Sequence, residues 1–248
     1  MDTTQFQDSA KQQIIDSLLK EAPSRDAVEV ELPSECKIYE LEDPASPITI
    51  RPMTFEDEKT LITVSKNNQD PTNTLIQRCV TNIKVNELLQ MDKLFLLMKL
   101  REISYGDDYQ VLLICQECRA ENPTTVKISE LNVNPVPDDF CDPIEVFLPE
   151  IKKKIKVRLP RVKDEKFTTD ASTIYEQLWR FVVDIEGYTD KSIIAAVVSK
   201  LPIRDIRTIL NAIKTDYGLE TKVKFICKEC GGASVVDLPI TSGFFNVS

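Results

Sequence analysis

The sequence predicts an α+β protein built from one module used twice. Each copy runs from a β-hairpin through a helical region to two short strands around a cysteine knuckle, and the copies face each other in a pseudo-two-fold arrangement. Three observations predict this. First, Tyr105-Gly106 precedes Cys115 as Tyr217-Gly218 precedes Cys227, and Ile-Cys-x-Glu-Cys recurs at Ile114 to Cys118 and Ile226 to Cys230, always 112 positions apart. Second, other matches follow the same order. Val30-Glu31-Leu32-Pro33 answers Val146-Phe147-Leu148-Pro149, 116 positions on. Ile50-Arg51 and Glu58-Lys59 answer Val157-Arg158 and Glu165-Lys166, 107 positions on. Leu89, Leu94, Leu97 and Met98 answer Leu201, Ile206, Ile209 and Leu210 at 112. The changing offsets mark loops of different length. Third, the hydrophobic period switches between strand-like and helix-like in the same sequence in both halves.

The elements follow in order. Residues 1–25 form an N-terminal helical arm with Phe6, Ile14, Ile15, Leu18 and Leu19 at helical spacing, closed by Ala22-Pro23-Ser24. It packs on its own domain or docks on another chain. Residues 26–131 are repeat one with the first knuckle. Its hairpin covers 28–51 and its helical region 54–104, starting at Thr54 with Asp57 and Glu58 and broken at Asp70-Pro71. Strands at 109–114 and 125–128 flank the cysteines. Residues 132–143 are a linker, kept extended and semi-rigid by Pro135, Pro137 and Pro143. Residues 144–248 are repeat two with the second knuckle. Its hairpin spans 144–158, where Ile151, Ile155, Val157 and Leu159 alternate. A helical region over 164–216, punctuated by Gly187 and Pro202, and strands at 222–226 and 234–238 complete it.

Composition narrows the function. The hydrophobic share of 42% suffices for a core, and no apolar run is long enough to span a bilayer. The start lacks the basic and apolar stretches of a secretory signal, so a soluble, non-exported protein without a membrane partner is expected. A net charge of -9 repels phosphate and argues against nucleic acid. The basic run Lys152-Lys153-Lys154 with Lys156 and Arg158 is the wet face of a strand. The chain contains no histidine, which removes Ser-His-Asp and Cys-His catalysis and histidine metal ligation. Six glycines form no phosphate loop, and the acidic pairs lie at a helix start and a turn. No enzyme is expected.

Seven cysteines without a signal sequence suit a reducing compartment. Two thiolates separated by two residues can face one metal, and zinc takes four in a tetrahedron. Cys115 and Cys118 supply half of such a set; Cys227 and Cys230 supply the rest. One structural zinc clamping the two repeats is therefore expected. Gly231-Gly232 suits the turn that lets backbone N–H groups approach sulfur, and Arg119-Ala120 departs from it. A redox pair or another metal is the competing reading, but redox pairs open a helix and these flanks are strand-like. Cys79, among Leu75, Ile76, Val80 and Ile83, is a core residue, and Cys36 and Cys141 have no expected role.

Leu-Pro-Ser at 32–34, Ile-Arg-Pro-Met-Thr-x-Glu-Asp-Glu-Lys at 50–59, Asp92-Lys93 and Ile-Ser-Tyr-Gly-x-Asp-Tyr at 103–109 form a recognisable run. It resembles the baseplate hub assembly proteins, or chaperones, of T-even-like contractile-tailed phages. The resemblance implies virion assembly in the host cytoplasm and a place in the tail baseplate. The implied partners are other hub, spike or tape-measure proteins, with homo-oligomers allowed. A cellular zinc-ribbon adaptor in a multi-protein complex is the alternative.

Overall fold

The computed structural model describes residues 26–65, 70–168, 170–214, 216–240 and 242–245, with Lys11, Gln13, Ile14, Ser17 and Leu18 of the N-terminal segment. The expected arm over 1–25 falls largely outside the described residues. Helices and short sheets are mixed, and every strand pairing among the described residues is antiparallel.

The first hairpin is short. Strand β1 (Val28–Glu29) pairs with β2 (Thr49–Ile50), Val28 opposite Ile50. Helix α1 (Phe55–Ser65) follows, with Glu56, Asp57 and Glu58 in its first turn, where negative charge favours the helix dipole. Helix α2 (Pro71–Cys79) begins as Asp70-Pro71 dictates: the Asp70 carboxylate accepts the Thr72 N–H, and proline fills the first helical position. Helix α3 (Gln90–Tyr105) is buried on nearly every side and runs through the centre of the protein. It stops at Gly106, whose φ of 93° disfavours a side chain. Strands β3 (Asp108–Ile114) and β4 (Glu121–Lys127) then form the first knuckle hairpin.

The segment expected to be a linker is packed down. Its strand β5 (Val133–Asn134) pairs with β9 (Gly218–Leu219), Val136 is buried, and the Asp142 carboxylate accepts the Leu159 N–H. Strands β6 (Ile144–Leu148) and β7 (Lys153–Val157) form the second hairpin in the expected alternation. A third strand, β8 (Val182–Ile185), joins them. It lies within the stretch expected to be helical. Phe181 and Val182 are buried there, so the apolar run serves a sheet edge instead of a helix face. Helices α4 (Ala171–Gln177), α5 (Lys191–Val198) and α6 (Ile203–Ala212) pack around this sheet. Strands β10 (Lys222–Ile226) and β11 (Ala233–Asp237) make the second knuckle hairpin.

Two local devices occur in both halves at matched positions. Arg51 grips Asp57 through both terminal nitrogens, at 2.8 and 3.3 Å, and the Thr54 N–H donates to the same carboxylate. Arg158 grips Asp164 in the same way, at 2.5 and 2.8 Å, with the Arg161 N–H as third donor. Behind each arginine the backbone is tied alike: Arg51 N–H to Cys79 O, and Arg158 N–H to Phe181 O. The second device is a buried carboxylate at the third position of a helix. Asp92 accepts the Ser34 N–H at 3.1 Å, and Asp205 accepts the Glu150 N–H at 2.9 Å. Each thereby holds the turn after a Leu-Pro pair. This places Asp92 opposite Asp205, so the helices match one residue further along than their apolar residues suggest. Leu96 and Ile209, both fully buried, become equivalents.

The two main cores differ in how they follow the chain. One is built on α2, α3, β3 and β4 and also takes Leu238, Phe244 and Phe245 from the C-terminal end. The other lies between the β6–β8 sheet and helices α5 and α6. Charge bridges the halves: Lys93 Nζ sits 2.7 Å from Asp70 and 2.6 Å from Glu165, and Arg161 joins Glu87 and Asp142.

Burial works against the ionised Asp57 and Asp164, but their arginines outweigh it and hold both carboxyls below the usual range. Their stabilising contribution is therefore complete at neutral pH and is lost as pH falls through the lowered values. Arg158→Met strands the Asp164 carboxylate and is expected to cost about 3–5 kcal/mol. Arg51→Met is expected to cost less, because Arg78 Nε still reaches Asp57 at 2.7 Å. Urea unfolding of the two variants at pH 7 checks the order.

Candidate metal centre

Strand alternation sets up the site. On β3 and β10 the residues before each first cysteine, Ile114 and Ile226, face solvent, so Cys115 and Cys227 point inward and are buried. The chain then turns tightly. Cys115 N–H donates to Ala120 O and Arg119 N–H to Cys115 O; Cys227 N–H donates to Gly232 O and Gly231 N–H to Cys227 O. Arg119 takes a φ of 64° and Gly231 one of 71°, so the two turns have the same form. Arg119 adopts the left-handed backbone that glycine supplies in the second knuckle, and the departure at that position is one of side chain alone. Gly232 has a separate role: a Cβ there would lie 2.3 Å from Glu117 Oε2 and displace that carboxylate.

The turns bring all four predicted sulfurs together. The Sγ atoms of Cys115, Cys118, Cys227 and Cys230 lie within 4.8 Å of one another. Two close approaches cross between the halves: Cys115 to Cys230 at 3.7 Å and Cys118 to Cys227 at 3.6 Å. Disulfide-bonded sulfurs sit near 2.05 Å, and all four cysteines are free. A tetrahedron of sulfurs about 2.3 Å from zinc has edges of about 3.8 Å, which these approaches match. The other three cysteines lie apart from the cluster. Cys79 is core, as expected, and burial pushes its thiol up to about 11.

The electrostatics of the four thiols are uneven. The N–H of Cys118, then the Ser234 hydroxyl, pull Cys115 down to about 6. The Cys230 N–H pulls Cys227 down in the same way. Cys118 and Cys230 also receive backbone N–H groups, but desolvation together with the sulfurs of Cys115 and Cys227 pushes Cys118 up, and the sulfur of Cys118 and then desolvation push Cys230 up to about 12. Four thiolates this close repel one another, and a divalent cation relieves that repulsion. A set of four sulfurs with no histidine suits a soft, tetrahedral metal.

Sequence reasoning missed two further residues at the site. Asn122 and Ser234 are both buried and touch the sulfur cluster. The offset of 112 that pairs the cysteines also pairs these two, and it was the signal that could have found them.

A family model described as T4 bacteriophage base plate protein matches residues 26–246. The chain belongs to that baseplate family. The match covers both knuckles, so the sulfur cluster lies wholly within the family region. Baseplate membership places the chain among structural proteins of the phage tail, working with other baseplate proteins. No curated protein and no solved structure matches the chain. No helix among the described residues is long and apolar enough to cross a membrane.

Cys115→Ser and Cys227→Ser lie in different halves, yet each removes one corner of the same cluster. Each is expected to lower a single, shared melting transition by about 10 °C, the shift that ~3–4 kcal/mol produces in a chain of this size. Calorimetry that resolves two transitions, only one of them moved, contradicts the shared site.

Proposed function

We propose that this protein is a structural component of the baseplate hub, or an assembly chaperone for it, and acts by protein–protein contact without catalysis. The family match over residues 26–246 carries this reading. The hub assignment rests on the run of motifs in the first half, from Leu32-Pro33-Ser34 to Tyr109. Assembly takes place in the host cytoplasm, with hub, spike or tape-measure proteins as partners. The acidic balance, -9 overall, speaks for protein partners over nucleic acid.

In this reading Cys115, Cys118, Cys227 and Cys230 hold one zinc ion. The distances between the sulfurs and the all-thiolate donor set support it. Zinc in a closed set of four thiolates leaves no position for water, so it serves folding and not catalysis. The chain is a duplicated module, 26–131 and 144–248, joined by 132–143 and preceded by an arm over 1–25. The matched arginine–aspartate grips, the paired buried carboxylates and the like-shaped knuckle turns support a pseudo-two-fold relation between the copies. A cellular zinc-ribbon adaptor would share the cluster but has no support from the family match.

Fractionation of infected-cell lysate tests the role. The protein is expected to sediment with hub intermediates or with complete baseplates. Its presence only as free chain, at every stage of infection, would count against both the hub subunit and the chaperone.

A further inference from the structure

Asn122 and Ser234 stand at equivalent positions, each just beyond the knuckle turn of its own half. Asn122 Nδ2 donates to Ala120 O of its own turn at 3.0 Å, but the sulfur that each residue touches belongs to the other half. Asn122 Nδ2 donates to Cys227 Sγ at 3.5 Å, and Asn122 Oδ1 accepts the Lys228 N–H at 2.9 Å. Ser234 Oγ lies 3.6 Å from Cys115 Sγ and accepts the Gln116 N–H at 3.3 Å. Each side chain therefore grips the opposite half twice, at the sulfur of its first cysteine and at the N–H of the next residue. The carboxamide does this with two atoms; the hydroxyl does it with one, as donor and acceptor together. Asn122 and Ser234 are only 2% and 4% exposed, so water does not compete for these bonds.

We infer that Asn122 and Ser234 are a reciprocal pair of positioning residues, each fixing the opposite half's first cysteine as a ligand of the metal. The inference rests on the zinc reading above and adds to it. Hydrogen bonds from outside the ligand set orient the ligands and steady their charge, and losing one commonly lowers metal affinity 10–100-fold. Here that support crosses between the halves. The two cysteines so held, Cys115 and Cys227, are the buried members of their pairs; Cys118 and Cys230 are exposed. Thus the sequence-remote half adds a side-on contact to each buried sulfur, beside the N–H groups of its own turn.

The test uses the full-length, zinc-loaded chain. Zinc transfer to a chromogenic chelator is timed, and brief alkylation is mapped to individual cysteines by peptide mass spectrometry. Asn122→Ala and Ser234→Ala are each expected to speed zinc release about tenfold or more. The labelling is expected to cross over: Cys227 gains reactivity most in Asn122→Ala, and Cys115 gains most in Ser234→Ala. Ser234→Thr keeps the hydroxyl and is expected to restore slow release. It also keeps the test decisive if an alanine variant folds poorly. A merely structural loosening of the mutated hairpin would instead expose the cysteines of its own half. Own-half labelling, or unchanged release from a zinc-bearing wild type, overturns the reciprocal pair and leaves the zinc reading intact. A wild-type chain that carries no metal and labels rapidly at all four cysteines overturns both.

Discussion

Four sulfur atoms from two distant stretches of chain share one small volume, and that convergence fixes much else in the protein. Cys115 can meet Cys230, and Cys118 can meet Cys227, only if the two knuckle hairpins come together. The C-terminal hairpin must therefore reach back onto the first half. It does so with Leu238, Phe244 and Phe245 packed into the core around α3. The hydrophobic packing and the sulfur cluster thus impose the same crossing. The core around α3 is therefore not a self-contained stretch of sequence, whereas the core beneath the β6–β8 sheet is drawn from residues 144–213 alone. Repulsion among close thiolates makes the meeting point unfavourable without a cation, so the proposed zinc and the crossing of the chain support each other.

Away from the cluster the halves are held by groups that lose stabilisation if parted. Lys93 is nearly buried between Asp70 and Glu165, and Arg161 reaches both Glu87 and Asp142. A buried charge that loses its partner is far more costly than the pair is beneficial, so such contacts resist separation more than they add stability. An arrangement of this kind suits a part that must keep its shape while other chains assemble on it. That agrees with membership of a baseplate family and with the hub role proposed here.

The sequence made the knuckles legible, because two-residue spacing has one common chemical use and the offset of 112 repeated it. The hairpin at Ile144 to Val157 was legible from alternation alone. Other features were not. The apolar side chains of α3 and α6 recur every three or four residues and fit two registers equally well. The backbone N–H groups taken up by Asp92 and Asp205 favour the register that aligns these two carboxylates. Strand β8 lay hidden because a short apolar run suits either a sheet edge or a helix face until its neighbours are known. Arg119 gave no hint of its left-handed backbone, which the turn imposes against residue preference. Asn122 and Ser234 differ in residue type, so their likeness lies in hydrogen bonding, which letters do not reveal.

Zinc K-edge X-ray absorption on the intact chain as purified tests the central claim most directly. The account predicts one zinc per chain with four sulfur neighbours at about 2.3 Å and no nitrogen or oxygen in the shell. A chain that carries no zinc, or one whose zinc is bound by oxygen with two sulfurs or fewer, would contradict it.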